Sequence, residues 1–124
     1  MKNILVIDDN LMMRKLIKNL FHEENFEIKE AANGIEGLEF VKDHPVDLII
    51  TDLIMPKMEG IELIMNIRRD FPDIKIIAIS GGKPYYLYLA KKLGINGIFT
   101  KPLNHQVFLN AVKKVIQFPT NEHA

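Results

Sequence analysis

The 124-residue chain contains no cysteine. This absence excludes a disulfide framework, a thiol nucleophile and thiolate metal ligands. Neither sign of charge is in excess, because sixteen Lys and Arg residues balance sixteen Asp and Glu residues. A balanced charge gives no indication of a surface for nucleic acid or for anionic lipid. We therefore expect no nucleic-acid partner for this chain.

Long hydrophobic runs are also missing from the sequence. The first apolar run, Ile4 to Ile7, is too short for the core of a signal peptide. No stretch approaches the roughly 20 apolar residues that a membrane-spanning helix requires. Internal repeats and low-complexity tracts are lacking as well. The sequence therefore predicts one cytoplasmic domain with its own core and no membrane partner.

Short apolar runs alternate with longer segments of helical periodicity along the chain. This alternation is typical of βα units that build a parallel sheet. Asn33 and Glu36 have the spacing of a capping box at the start of a helix, and Gly94 is expected to end another. We predict strands at 3–7, 27–31, 46–51, 75–80 and 97–100, and helices at about 11–23, 34–43, 60–70, 84–93 and 104–117.

Carboxylates follow two of the predicted strands. Asp8 and Asp9 come directly after the first strand, and Asp52 comes directly after the third. In open α/β sheets, ligands bind beyond the carboxyl ends of the strands, where the strand order reverses. In a sheet of order 2-1-3-4-5 that point lies between strands one and three. Because Lys101 ends the fifth strand, we expect three acids and one amine to form a site at this edge.

These residue types indicate a particular chemistry. Three crowded carboxylates resist ionisation unless a cation lies among them, and a hard divalent ion such as Mg²⁺ accepts carboxylate, water and phosphate oxygens. Lys101 adds a positive charge suited to a carboxylate or a phosphate. Ser80 ends the fourth strand before two glycines and offers a hydroxyl beside accessible backbone amides. Together the groups indicate a phosphoryl-binding site with a carboxylate as its nucleophile.

This set of residues resembles the receiver domains of two-component response regulators, including those of chemotaxis. The resemblance covers residues 2–117. It implies a flavodoxin-like α/β fold, a (βα)5 three-layer sandwich with a sheet of order 2-1-3-4-5. We therefore expect a receiver domain at 1–118, and the composition of the chain terminus predicts a disordered tail at 119–124. The motifs that carry the resemblance are the Asp8-Asp9 pair, the segment from Asp52 to Gly60, Ser80, Phe99 and Lys101-Pro102.

The resemblance implies a role for each acid. Asp52 is expected to accept a phosphoryl group in the presence of Mg²⁺ or Mn²⁺. Asp9 is expected to bind the ion directly and Asp8 through water, with Asp52 and the backbone carbonyl of Ile54 as further ligands. Ile54 is apolar where other members carry a polar group that positions hydrolytic water. We therefore expect slow self-dephosphorylation and no turnover of an external substrate.

The resemblance also implies how the phosphoryl group acts on the protein. Ser80 is expected to donate a hydrogen bond to a phosphoryl oxygen. Lys101 is expected to pair with Asp52 before transfer and with the phosphoryl group afterwards, and its bond to Pro102 is expected to be cis. Phe99 occupies the switch aromatic position and is expected to turn inward when Ser80 moves.

The implied partners are a sensor histidine kinase or a histidine phosphotransfer protein, and a downstream protein of unknown identity. Leu11 and Met12 exceed the apolar stripe that helix one requires and lie beside the acids, so they are candidates for docking the phosphodonor. Tyr85, Tyr86 and Tyr88 cannot share one narrow buried stripe of a helix, so at least one is expected to be exposed. That residue lies on the helix 4/strand 5/helix 5 face, which is a candidate surface for an output partner or a homodimer.

Other functions compete with this interpretation. A phosphohydrolase with an aspartyl nucleophile, of the haloacid-dehalogenase type, needs a second Asp where Ile54 stands. A flavin-binding protein must hold a phosphate in its first loop, which the acids would repel without a metal. A DNA-binding regulator needs an effector domain, and only seven residues follow Gln117. We therefore expect output through protein contacts, and the choice between a terminal regulator and a phosphorelay intermediate stays open.

Overall fold

The structure, a computed structural model, describes residues 1–55, 58, 60–81 and 84–117. The predicted tail at 119–124 therefore lies outside the described residues. Within the described part of the chain, no helix is both long enough and apolar enough to cross a bilayer. Strands and helices alternate in the order β1 (Lys2–Ile7), α1 (Leu11–Leu20), β2 (Phe26–Ala31), α2 (Gly34–Asp43), β3 (Leu48–Asp52), α3 (Gly60–Asp70), β4 (Lys75–Ser80), α4 (Pro84–Lys92), β5 (Gly97–Thr100) and α5 (His105–Gln117).

The five strands are parallel and form one sheet of order β2-β1-β3-β4-β5. β1 lies between β2 and β3, with Ile4 opposite both Ile28 and Leu48. The strand order reverses between β1 and β3, so the crevice used by ligands in such sheets opens there. The predicted order and the predicted position of this point are both confirmed.

Successive strand residues face two separate cores, one on each side of the sheet. On one side, Leu5 packs with residues of α2, α3 and α4, among them Ile64. On the other side, Ile4 packs with Ile17 of α1 and Phe108 of α5. Every residue of β3 and β4 is buried, as expected for central strands covered on both faces. The chain is the three-layer, flavodoxin-like α/β sandwich that the resemblance implies.

The predicted helix-end signals form as expected. The side chain of Asn33 accepts a hydrogen bond from the N–H of Glu36 at 2.9 Å and so caps α2. The carboxylate of Glu36 accepts from the N–H of Ala32 at 3.2 Å and from Nδ2 of Asn33 at 3.2 Å, so the reciprocal backbone bond is displaced by one residue from that of the usual capping box. Gly94 has φ of 69° after the end of α4, a left-handed conformation that glycine adopts without steric cost.

Two predicted elements have an end that differs from the structure by more than one residue, and the other elements agree to within one residue. The first helix was expected to reach residue 23, but α1 ends at Leu20 because the next N–H groups bond three residues back, Phe21 to Lys18 and His22 to Asn19. This tighter turn lets the Phe21 ring enter the core. The third strand was expected at 46–51 but runs from Leu48 to Asp52, so Asp52 is itself a ladder residue opposite Ile79.

Candidate functional site

Three carboxylates meet at the carboxyl edge of the sheet. Asp8 follows β1 directly and Asp52 is the last residue of β3, and the pairing of Ile7 with Thr51 brings the two strand ends together. One carboxylate oxygen from each of Asp8, Asp9 and Asp52 lies within 4.8 Å of the others. Asp8 and Asp52 are only 2% and 7% exposed, whereas Asp9 is exposed. The acidic cluster predicted from the sequence is formed, and its open side is at Asp9.

Lys101 reaches this cluster from the end of β5. Its Nζ donates a hydrogen bond to Oδ2 of Asp52 at 3.0 Å. Its backbone N–H donates to the carbonyl of Ser80 at 2.9 Å, which fixes the loop after β5 to the end of β4. The Lys101–Pro102 peptide is cis, as predicted. A charge-assisted hydrogen bond of this kind holds both partners in one geometry.

Backbone N–H groups hold the two buried carboxylates in place. The N–H of Asn10 donates to Oδ1 of Asp8 at 2.8 Å. The N–H of Ile54 donates to Oδ1 of Asp52 at 3.2 Å. Asp52 therefore has one oxygen on a backbone amide and the other on the lysine ammonium. This pairing gives the carboxylate a defined orientation toward Asp8 and Asp9.

The electrostatics of the site favour an added positive charge. Burial raises the pKa of the Asp8 carboxyl from 3.8 to about 6, and the charges of Asp52 and Asp9 act in the same direction, against the Asn10 hydrogen bond and Lys101. Burial opposes the charged form of Lys101. The hydrogen bond and charge of Asp52, with the charges of Asp8 and Asp9, outweigh burial and raise the pKa of Lys101 above its ordinary value. Among the residues that the structure describes, the ammonium of Lys101 is therefore paired with a cluster of three carboxylates.

Ser80 and Phe99 lie on the neighbouring strands. Ser80 is fully buried at the end of β4 and stands opposite Thr100 of β5. Phe99 is half-buried, and its ring meets the ring of Phe108 edge to face, with centroids 5.2 Å apart. The serine is therefore one strand away from Asp52, and the aromatic ring packs on the side of the sheet that α1 and α5 cover.

Two residues that support the site were not identified from the sequence. Asn10 caps α1 by accepting hydrogen bonds from the N–H groups of Met12 and Met13, while its own N–H holds Asp8. An Asn directly before a helical pattern is a recognised N-cap signal, so this residue was predictable. Arg14 donates to the carbonyl of Asp8 at 2.7 Å. No sequence pattern around Arg14 indicates its role, because its partners Glu30 and Asp8 lie on other elements of the fold.

The donor set fits a hard divalent cation. Carboxylate oxygens are the ligands that Mg²⁺ prefers, and opposite ligands of a Mg²⁺ octahedron lie about 4.2 Å apart. The spacing of the three acids, within 4.8 Å, is close to that value, so one ion with its waters can contact all of them. An ion at this place would also offset the charges of Asp52 and Asp9, which add to the effect of burial on the pKa of Asp8.

Fold and site together define a class of protein, an α/β sandwich with an acid–lysine site at the switch point of its parallel sheet. The family model described as "Response regulator receiver domain" matches residues 4–113. The chain belongs to the response-regulator receiver family. Receiver domains are switches of two-component and chemotaxis signalling, interact with histidine kinases or phosphotransfer proteins, and bind Mg²⁺ through an acidic pocket.

Curated relatives agree with this assignment. The chain is 35% identical over 117 residues to the chemotaxis protein CheY of Halobacterium salinarum, a match that covers 93% of this chain and 97% of that protein. It is 30% identical over 121 residues to sporulation initiation phosphotransferase F of Bacillus subtilis, covering 97% and 98% of the two chains. Both similarities extend over almost the whole receiver.

Solved structures show the same fold. The response regulator protein TrrA from Thermotoga maritima, in complex with Mg²⁺ and BeF, superposes with a TM-score of 0.84 at 35% identity. The match covers 93% of this chain and 99% of that one. A CheY-like receiver domain protein from Methanospirillum hungatei superposes with a TM-score of 0.88 at 26% identity and covers 94% of each chain.

Proposed function

We propose that this chain is a phosphorylation-controlled signalling switch whose acceptor is Asp52. The observation that carries the proposal is the position of Asp52, with Lys101 Nζ 3.0 Å from its Oδ2 and with Asp8 and Asp9 clustered beside it. This is the combination of nucleophile, fixed ammonium and cation ligands that phosphoryl transfer requires. We propose residues 1–118 as the functional unit.

The proposed phosphodonor is a phosphohistidine of a sensor kinase or a phosphotransfer protein. An oxygen of Asp52 attacks the phosphorus, a P–O bond forms and the P–N bond to the histidine breaks. The imidazole leaves with the electron pair of that bond and takes up a proton. Asp52 is held for attack because the N–H of Ile54 and the ammonium of Lys101 fix its two oxygens.

We propose Mg²⁺, or Mn²⁺ in its place, as the cofactor. Asp9 would hold the ion directly, since it is the exposed member of the cluster, and Asp8 through water. Asp52 and the backbone carbonyl of Ile54 would complete the protein ligands. When bound, such an ion offsets the negative charge that gathers on the transferred phosphoryl group.

We propose that the phosphoryl group, once on Asp52, is read by Lys101 and Ser80. Lys101 exchanges the carboxylate for a phosphoryl oxygen, and the hydroxyl of Ser80 donates to another. Movement of Ser80 lets Phe99 change its packing, and Phe99 has no hydroxyl, so its two positions differ only in ring contacts such as the one with Phe108. As a result, the equilibrium between two conformations of the surface formed by α4, β5 and α5 shifts.

Two exposed surfaces support the proposed partners. Met12, which is 71% exposed, and Leu11 lie in the first turn of α1 directly after the acidic loop, where a phosphodonor must approach. Tyr85 and Tyr88 are exposed on α4, with Lys92 Nζ 5.5 Å from the Tyr88 ring centroid. The prediction of at least one exposed tyrosine is confirmed. We propose the α4 patch for the downstream protein or for a homodimer.

A phosphorelay intermediate is the second candidate. The similarity to sporulation initiation phosphotransferase F favours this role, because that relative is named as a phosphotransferase. Incubation of the phosphorylated chain with candidate phosphotransfer proteins separates the two roles. An intermediate passes its label on to a histidine, whereas a terminal regulator keeps the label until hydrolysis.

The central test is Mg²⁺-dependent labelling with a small acyl phosphate. Wild type should be labelled, and Asp52→Asn should not, because an amide is a poor nucleophile. Asp47→Asn is a matched control, since Asp47 lies just before β3 and accepts from the N–H of Asn3 away from the cluster. Labelling retained in Asp52→Asn would contradict the role of Asp52 as acceptor. Labelling of wild type that is unaffected by a chelator would contradict the role of Mg²⁺.

A further inference from the structure

The side chain of Arg14 links the acidic loop to the edge of the sheet. Its Nε donates to Oε1 of Glu30 at 3.0 Å, and Nη1 donates to the backbone carbonyl of Asp8 at 2.7 Å. Only 14% of the Arg14 side chain and 25% of the Glu30 side chain are exposed. One guanidinium therefore connects α1, β2 and the residue that follows β1.

The contact of Arg14 with Asp8 is made at a residue of the acidic cluster. The carbonyl of Asp8 belongs to the same residue whose carboxylate faces Asp52 and whose N–H donates to the carbonyl of Ala31 at 3.1 Å. Together with the N–H of Asn10 on Oδ1, the arginine completes the fixation of Asp8 at backbone and side chain. The rotation of the β1–α1 loop, which also carries Asp9, is thereby restricted.

The ion pair with Glu30 reduces the positive charge that Arg14 places beside the acidic cluster. A lone guanidinium next to the acids would repel an incoming divalent cation. Glu30 offsets the charge of Arg14 at 3.0 Å, and it also lies 3.8 Å from Lys18, which is mostly exposed to solvent. The rigid fork of the guanidinium spans both acceptors at once, which an ammonium does less well.

We propose that Arg14 is a positioning residue for the divalent cation, which it affects by holding the Asp8 carbonyl so that Asp8 and Asp9 face Asp52. This inference rests on the metal site in the proposed function. Without the arginine, the loop must be ordered when the ion binds, and that ordering lowers the affinity. Outer partners of metal ligands commonly change affinity by about tenfold or more when removed.

Arg68 provides a matched control within the same chain. It is also partly buried, and its Nη1 donates to the carbonyl of Ile74 at 2.7 Å, the same distance as in the Arg14 contact. Ile74 precedes β4, so this contact lies at the opposite end of the parallel sheet from the acids. Loss of Arg68 should therefore weaken the fold without moving the site.

The test is a calorimetric Mg²⁺ titration of the unphosphorylated protein, combined with urea denaturation of each variant. Arg14→Ala should raise the Mg²⁺ dissociation constant about tenfold. Arg68→Ala should lose stability but stay within about twofold of the wild-type dissociation constant. Should Arg14→Ala fail to fold, Arg14→Lys carries the test and should weaken binding at least about twofold, because one ammonium replaces a two-acceptor fork.

Three results would overturn the inference. The first is an Arg14 variant that binds Mg²⁺ like wild type, which refutes the positioning role and leaves the proposed function intact. The second is Arg68→Ala weakening Mg²⁺ as much as Arg14→Ala, which shows general loosening of the fold. The third is a wild-type protein without measurable Mg²⁺ binding, which refutes both this inference and the proposed metal site.

Discussion

At the scale of single residues, Asp8 and Lys101 show how burial and charge set the state of the site. Both groups lose hydration, but Lys101 gains three acidic neighbours whereas Asp8 gains two acids and one ammonium. The lysine therefore stays charged, and the carboxyl of Asp8 has a pKa near 6. A cation that binds here competes with a proton on Asp8.

This shift predicts a pH dependence of stability in metal-free protein. The folded-state pKa of Asp8, about 6, lies above its ordinary value of 3.8. Protonation of Asp8 therefore stabilises the folded state relative to the ionised form. This stabilisation is fully present below about pH 3.8 and is lost as the pH rises through about 6. Relative to Asp8→Asn, the wild-type free energy of unfolding should fall between pH 4 and 7 by about 1 to 3 kcal/mol.

Urea denaturation of both proteins across this range, with a chelator present, gives the measurement. Asp43→Asn serves as a control at an exposed carboxylate. A difference between wild type and Asp8→Asn that stays constant from pH 4 to pH 7 would show that Asp8 is not titrating as described.

Ile54 sets the expected lifetime of the phosphoryl group. Its N–H holds Asp52, and its apolar side chain is partly exposed beside the acceptor, where it cannot orient a water. Ile54→Asn should therefore shorten the phosphoryl lifetime several-fold while Asp52 is still labelled. Decay of label after rapid removal of the phosphodonor measures it, with Ile54→Leu as control. A wild-type lifetime of seconds would contradict this expectation.

At the scale of elements, the start of α3 is pressed against the end of β3. The N–H of Gly60 donates to the carbonyl of Leu53 at 3.1 Å. A Cβ at Gly60 would meet the carbonyl oxygen of Asp52 and lie 2.6 Å from Cα of Leu53, both of them backbone atoms that cannot swing aside. The absence of a side chain at this position lets the helix start over the acceptor.

Gly60→Ala should therefore lower the free energy of unfolding by about 1 to 3 kcal/mol and slow labelling of Asp52, because the backbone of the acceptor must shift. Gly81→Ala is the matched control, since a Cβ there meets no atom of the described residues within 4 Å. Denaturation and acyl-phosphate labelling of the two variants test this directly. If Gly60→Ala behaves like Gly81→Ala in both assays, the close approach does not constrain the site.

At the scale of the whole molecule, the cation site joins strands that are distant in sequence. Asp8 and Asp9 belong to the end of β1 and Asp52 to the end of β3, and only the folded sheet brings them within 4.8 Å. The unfolded chain lacks this arrangement. Mg²⁺ should therefore stabilise the entire fold by mass action.

At a Mg²⁺ concentration about 100 times its dissociation constant, the gain in unfolding free energy should be about 2.7 kcal/mol. Urea denaturation with and without Mg²⁺ measures this gain. Asp9→Asn should lose most of it, since it removes the exposed ligand of the cluster. An equal gain in wild type and in Asp9→Asn would indicate binding elsewhere on the protein.

Much of the fold was predictable because its signals are local. Apolar runs and helical periodicity located all five strands and all five helices, and Asn33 and Gly94 marked helix ends through their own backbone preferences. The acids were predictable as a group for a related reason. In a parallel sheet all strands end at one edge, so residues such as Asp8 and Asp52 are brought together by topology alone.

The sequence by itself therefore determined the βα order, the edge of the sheet that carries the chemistry and the kinds of side chain found there. Only the tertiary structure decided the contacts of Arg14 with Glu30 and Asp8, and the packing of Phe99 against Phe108. The physical reason is distance along the chain. Propensity and periodicity act over neighbouring residues, whereas these contacts depend on strand pairing and on the rotation of loops after the sheet has formed.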